Sequence, residues 1–208
     1  KGTHISLDEL MKQADLSMYK AKAAGRNTLR FFDPAMEIAV KQRAALEDDL
    51  RHALSEQQFS LHYQAQIAGD SLSGAEVLLR WTHPQRGMVS PAEFIPLAEE
   101  TGLILPLGHW VLETACRQLV HWADRQEMSQ LSVAVNVSAH QFRQKDFVEQ
   151  VLDVLQRTGA RPGRLKLELT ESLLVQDVPE IIRKMSALKS AGVGFSLDDF
   201  GTGYSSLS

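Results

Sequence analysis

The feature that most constrains this chain is a parity repeated in five short segments: Phe59 to Ile67, Ala75 to Trp81, Leu131 to Ser138, Leu165 to Thr170 and Val193 to Asp198. In a strand, alternate side chains point to opposite faces, so an alternating pattern gives one face for helices to cover and one of different character. Val133, Val135 and Val137 leave Ala134, Asn136 and Ser138 opposite. Leu165, Leu167 and Leu169 leave Lys166, Glu168 and Thr170, and Val193, Phe195 and Leu197 leave Gly194, Ser196 and Asp198. Val77 and Leu79 leave Glu76, Leu78 and Arg80, while Leu61 and Tyr63 leave His62 and Gln64. The second face concentrates acids and amides near the C-terminal ends of its strands, where a merely solvated face would carry Lys, Thr and Glu throughout.

Helical patterns separate these segments. Ser90-Pro91-Ala92-Glu93 predicts a capping box with proline at the first helical position, and further helices are expected over Pro106 to Gln126, Asp146 to Arg157 and Pro179 to Ala191. Asp70 to Gly74 reads as a turn between the first two strands. Such alternation predicts an α/β fold with a largely parallel sheet. The polar parity favours a TIM-like (β/α) barrel over an open sheet, because a barrel turns that face inward and places its active site on the C-terminal rim. Only the N-terminal five strands of such a barrel are expected within this sequence, with an unpaired edge on the last one. Upstream, Leu7 to Ala24 reads as a helix stopped by Gly25, and Thr28 to Phe32 as a short strand. Asp33-Pro34 opens a second helix running to about Leu54, within which a domain boundary is placed.

Composition narrows the function classes. A net charge of -4 provides no basic field for a nucleic-acid polymer. Cys116 is the only cysteine and sits in an apolar helical pattern, so an inert core thiol and a reducing, cytoplasmic setting are expected. No segment reaches the run of about 20 apolar residues that spans a bilayer. Lys1 is not an initiator methionine and Ser208 follows closely on a glycine-rich loop, so the sequence is expected to be part of a longer protein.

The acids on the second face carry the chemistry. Glu76, Asn136, Glu168 and Asp198 stand on separate strands, and Asp199 adjoins the last of them. Adjacent carboxylates repel unless a cation lies between them, and these hard oxygen donors suit Mg²⁺, Mn²⁺ or Ca²⁺. None of the seven histidines has a paired zinc-type spacing.

With those residues in view, the chain resembles EAL-type cyclic di-GMP phosphodiesterases. Glu76-Val77-Leu78-Leu79-Arg80 resembles the E-A-L-x-R signature, and Tyr63-Gln64, Asn136-Val137-Ser138, Glu168-Leu169-Thr170-Glu171 and the loop Asp198-Asp199-Phe200-Gly201-Thr202-Gly203-Tyr204-Ser205-Ser206-Leu207 follow the family's order. The resemblance covers about residues 58–208, a partial EAL-type barrel domain. It implies that Glu76, Asn136, Glu168 and Asp198 ligate one Mg²⁺ or Mn²⁺ and that Asp199 helps hold a second. Glu76, Asp198 and Asp199 are thereby the implied catalytic set. It further implies that Gln64, Leu78 and Arg80 contact cyclic di-GMP and that Glu171 steadies the Asp198–Asp199 loop. The implied reaction is hydrolysis to linear pGpG in bacterial second-messenger signalling; a non-hydrolytic cyclic di-GMP receptor is the alternative. A metal-dependent barrel lyase or aldolase is disfavoured by the intact Asp-Asp-Phe-Gly-Thr-Gly loop.

Two departures are visible: Val77 replaces the signature alanine, and Ala65 stands where proline is common. The family's later strands add a lysine, a glutamate and a glutamine that lie beyond Ser208, so residues 1–208 alone are expected to be inactive, and either to aggregate or to complete their sheet against another copy as a homodimer. Ala14-Asp15, Met18-Tyr19, Ala21-Lys22, Gly25-Arg26-Asn27 and Phe31 resemble the end of a GGDEF-type diguanylate cyclase domain. The expected layout is a GGDEF-type remnant over 1–33, a helical linker over 34–57 and the barrel domain from 58, with sensory or membrane domains expected only upstream in the parent.

Overall fold

The computed structural model describes residues 6–23, 25–170, 173 and 178–198. They fall into two units, residues 1–49 and 50–208.

The first unit holds helix α1 (Leu7–Ala23) and most of helix α2 (Pro34–Ala53). Asp33 starts α2 as its sequence suggests: its Oδ1 accepts a hydrogen bond from the Ala35 amide at 2.9 Å, with Pro34 at the first helical position. Glu37 receives Lys12 Nζ at 2.7 Å and Lys41 Nζ at 3.0 Å. The strand expected over Thr28 to Phe32 is not formed. Residues 28–33 are irregular, and Phe31 is 81% exposed. No strand of this unit lies beside them among the described residues, and a strand without a neighbour has no ladder to stabilise it.

The second unit is a mixed sheet with helices. Its strands are β1 (Phe59–Ala68), β2 (Ser71–His83), β3 (Gly87–Val89), β4 (Ser132–Val137), β5 (Leu165–Thr170) and β6 (Gly194–Asp198). The order is β1-β2-β4-β5-β6, with β3 paired to β2. β2, β4, β5 and β6 are mutually parallel, whereas β1 and β3 run antiparallel to β2. The sheet is therefore less uniformly parallel than the alternation of patterns suggests. The expected turn over Asp70 to Gly74 is shorter, being Gly69 and Asp70 alone, with Gly69 at φ +60°. A two-residue connection of this kind forces a hairpin.

The parallel strands are joined by crossover helices. α3 (Pro91–Thr101) and α4 (Ile104–Ala123) link β3 to β4; α5 (Ala139–Phe142) and α6 (Phe147–Thr158) link β4 to β5; α7 (Val178–Ser190) precedes β6. The apolar parity meets these helices. Val77, Val133, Val135, Leu167 and Leu169 form one core with Ala115, Cys116 and Leu119 of α4, Val151 and Val154 of α6, and Leu188 of α7. Val77, one of the two departures from the signature, is a packing residue of this core, where two added methyls change volume and not chemistry.

Capping departs from expectation at one helix. Ser90 has extended backbone before α3, but its side chain makes no cap hydrogen bond. The reciprocal box forms at α5, between Ser138 and Gln141.

Candidate functional site

The register fixes which polar residues share a face. Gln64 lies opposite Glu76 across β1 and β2, and Glu76 pairs with Ala134 of β4. Asn136 pairs with Glu168, and Glu168 with Ser196. Asp198 pairs with Thr170, two residues beyond Glu168 and so at the same parity. Three strands thus bring Glu76, Asn136 and Glu168 to the face away from the helices, as the sequence pattern requires.

Hydrogen bonds tie this face together. Asn136 Nδ2 donates to Glu76 Oε1 at 2.9 Å, joining β2 to β4. Ser196 Oγ donates to Glu168 Oε1 at 3.0 Å, joining β6 to β5. Lys166 Nζ stands 3.7 Å from the same Glu168 oxygen. Glu168 is 8% exposed, and these two partners offset part of the cost of burying its carboxylate.

A cation suits the donor set. With its amide nitrogen committed to Glu76, Asn136 keeps its carbonyl oxygen as an acceptor beside a carboxylate, and Glu168 is an almost buried carboxylate with a lysine at 3.7 Å. Among the described residues, no three His, Cys, Asp or Glu side chains gather closely enough to hold a metal, so any such centre draws on the Asn136 amide and on groups beyond them. The Asp198 side chain, Asp199, Glu171 and the loop that follows lie outside the described residues.

Leu78 and Arg80 occupy an interrupted stretch of β2. On one edge β2 pairs with β4 through Val77 and with β3 from Trp81 onward, so residues 78–80 fall between the two ladders. A cavity of about 320 Å³ opens there, lined by Leu78, Arg80, Asn136, Ser138 and Gln141 together with apolar side chains of α3 and α4. Within the gap, Arg80 Nη1 donates to the Leu79 carbonyl at 2.9 Å. A sharp aromatic corner holds the far side: Trp81 is fully buried against Phe94, ring centroids 5.5 Å apart, and its indole N–H donates to Gln58 Oε1 at 2.9 Å.

Three further residues contribute to this region: Ser196 and Lys166, which flank Glu168, and Gln141, which lines the cavity. The parity pattern places Ser196 and Lys166 on the correct face, but nothing in one sequence pairs them with Glu168. Ser138-Ala139-His140-Gln141 directly after a strand has the spacing of a capping box.

A profile of the EAL domain matches residues 47–208. Over 201 residues the chain is 45% identical to the bifunctional diguanylate cyclase/cyclic di-GMP phosphodiesterase MucR of Pseudomonas aeruginosa, covering 96% of this chain and 29% of that protein. The structure resembles that of the PaMucR phosphodiesterase in complex with c-di-GMP, with a TM-score of 0.74, 45% identity, and coverage of 78% of this chain and 66% of that one. It also resembles the EAL enzyme Bd1971 in its cAMP- and cyclic-di-GMP-bound form, with a TM-score of 0.74, 28% identity, and coverage of 99% and 54%. EAL domains of this kind are TIM-like barrels, in agreement with the barrel expected from strand parity. The chain spans 29% of the length of the curated relative named above, and other curated relatives match over similarly short shares, such as 24% and 30%.

Proposed function

This chain belongs to the EAL domain family, and from that premise we propose that it provides the metal-binding and substrate-binding strands of a phosphodiesterase that hydrolyses cyclic di-GMP to linear pGpG. The observation that supports the reading most directly is the Asn136–Glu76 hydrogen bond with Glu168 registered beside Asn136. Two carboxylates and an amide oxygen on neighbouring strands are the hard, rigidly mounted donors that a small divalent cation needs.

In this reading Glu76, Asn136, Glu168 and Asp198 hold one Mg²⁺ or Mn²⁺, and Asp199 contributes to a second. Bound divalent cations supply an activated water and stabilise the leaving oxygen. Arg80 offers its planar guanidinium to a phosphate of the dinucleotide. Leu78 and Gln64 contact the same ligand, Leu78 from the cavity that it shares with Arg80. Glu171 steadies the Asp198–Asp199 loop.

The wider layout belongs to the same proposal. Residues 1–33 are the end of a GGDEF-type cyclase domain, 34–57 a helical linker and 58–208 the barrel part, within a cytoplasmic signalling protein whose copies pair as a homodimer. No helix among the described residues is long and apolar enough to cross a membrane.

The test is product analysis. The full-length protein incubated with cyclic di-GMP and Mg²⁺ or Mn²⁺ is expected to release linear pGpG, and Ca²⁺ to bind but inhibit, since a larger ion with looser coordination misplaces the attacking water. Tight binding of cyclic di-GMP without any product under either ion would replace the enzyme with a receptor.

A further inference from the structure

Asn136 occupies an awkward place for a residue that must hold a fixed position. It is solvent-exposed, one residue before β4 ends, and the following helix α5 is a single turn of four residues. One turn of helix is not stable by itself, because nucleation fixes several residues for one hydrogen bond. β4 itself is held by its ladder to β5, which runs through Val137, so it is the turn directly after it that needs support.

The structure contains that support. Ser138 Oγ accepts from the Gln141 amide at 3.2 Å, and Gln141 Oε1 accepts in return from the Ser138 amide at 3.2 Å. The same Gln141 carboxamide lies against α4 over Gly108, where a Cβ would overlap it. Gly in a helix interior costs roughly 1 kcal/mol relative to Ala, so its use at this point has a steric reason: it admits Gln141. Cavities of about 310 Å³ and 320 Å³ lie on either side, and both are lined by Gly108 and Gln141. The turn is therefore held by its hydrogen bonds, by this close approach at Gln141 and, at its end, by Phe142, which is buried in the core with its ring centroid 5.2 Å from that of Phe147. Its far end is tied separately, by Lys184 Nζ donating to the carbonyls of Phe142 at 2.9 Å and Gln144 at 2.8 Å.

We propose that Gln141, seated on Gly108 and locked to Ser138, is a positioning residue that fixes Asn136 against Glu76 and thereby sets the affinity of the metal site. The inference rests on the reading of Glu76 and Asn136 as metal ligands. Residues one layer behind a metal ligand commonly change its affinity by about 10–100-fold when removed.

The experiment uses the full-length protein and Mn²⁺ binding read by electron paramagnetic resonance. Gln141→Leu removes the acceptor at similar size and is expected to weaken Mn²⁺ binding about tenfold. Gln141→Glu preserves the capping box and is expected to stay within about twofold of wild type. Gly108→Ala leaves α4 a better helix yet displaces the carboxamide, so it is expected to weaken Mn²⁺ binding like Gln141→Leu. Wild-type affinity in a folded Gln141→Leu or Gly108→Ala protein overturns the proposal, as does equal loss in Gln141→Glu and Gln141→Leu. If wild type binds no Mn²⁺, the metal-site reading fails by itself, and the clasp is read from hydrogen exchange of the Asn136 side-chain amide. Faster exchange in Gln141→Leu than in wild type and Gln141→Glu supports it, and equal exchange in all three overturns it.

Discussion

Asn136 of β4 donates its side-chain amide to Glu76 of β2 at 2.9 Å, on the face of the sheet opposite its valine and leucine core. The bond does two things. It fixes a carboxylate and an amide from strands sixty residues apart in sequence, and it settles which end of the Asn136 amide remains free to accept.

Asn136→Asp tests that arrangement. The variant replaces a donor with a second carboxylate beside Glu76, and like charges in contact disfavour the folded state. Without divalent cations its melting temperature is expected to fall by about 2–4 °C, the shift that ~1 kcal/mol gives in a domain of this size. Added Mn²⁺ is expected to recover more stability in the variant than in wild type, since it neutralises the pair. Differential scanning calorimetry with and without Mn²⁺ reads both effects, and an unchanged metal-free melting temperature would contradict the contact.

Lys184→Met tests the anchor of the neighbouring turn. Lys184 is 3% exposed and satisfies two backbone carbonyls, with Glu180 Oε1 at 3.2 Å as its counter-charge. Methionine fills much of the space but leaves the buried Phe142 carbonyl without this donor, at a cost of about 1–3 kcal/mol, while the Gln144 carbonyl keeps the Phe147 amide at 3.1 Å. Urea denaturation is expected to show a midpoint shift at constant slope.

Much of this was legible in the sequence, and the reasons are specific. Valine at 133, 135 and 137 and leucine at 165, 167 and 169 fix the buried face, so Asn136 and Glu168 had to share the other one. Topology was harder. Gly87–Val89 is too short to show a period, yet its pairing with β2 bounds the gap in which Leu78 and Arg80 lie. Thr28 to Phe32 has strand-like residues but no strand beside it among the described residues, and propensity without a ladder partner forms nothing. Ser90 has the residue type of a cap but does not make the bond, whereas Ser138 does, a difference of side-chain placement that spacing does not encode.

Cys116 is predicted to be chemically silent in the folded protein. Burial, with a smaller contribution from the Glu113 charge, pushes its thiol up to about 12. A thiol-specific disulfide reagent at pH 8 is expected to label it only on unfolding. The sign of the linkage follows: between the ordinary thiol value of about 9 and about 12, the unfolded chain loses a proton that the folded one keeps. Stability is therefore expected to fall as pH rises through this window, and Cys116→Ala to lessen that fall.

Glu37 titrates in the opposite sense. The hydrogen bond from Lys12, followed by that from Lys41, brings its carboxyl from about 4.5 down to about 2. The contribution of this cluster is expected to be complete above pH 4.5 and to be lost as pH falls towards 2, because the unfolded carboxylate takes up its proton first. A side-chain carbon NMR titration of Glu37 checks it, and an ordinary midpoint near 4.5 would contradict the contact.

If the polar face of β2, β4 and β5 holds a divalent cation for phosphodiester hydrolysis, Glu76→Gln in the full-length protein removes an essential ligand. The substitution preserves shape and an acceptor for Asn136 but removes a charge from the ligand set. Turnover of cyclic di-GMP with saturating Mn²⁺ is expected to fall by at least ~100-fold, on the order of the loss when a reacting group is misplaced, while circular dichroism and the melting profile remain those of a folded protein. Turnover equal to wild type in that folded variant would remove Glu76 from the mechanism and the cation from this face.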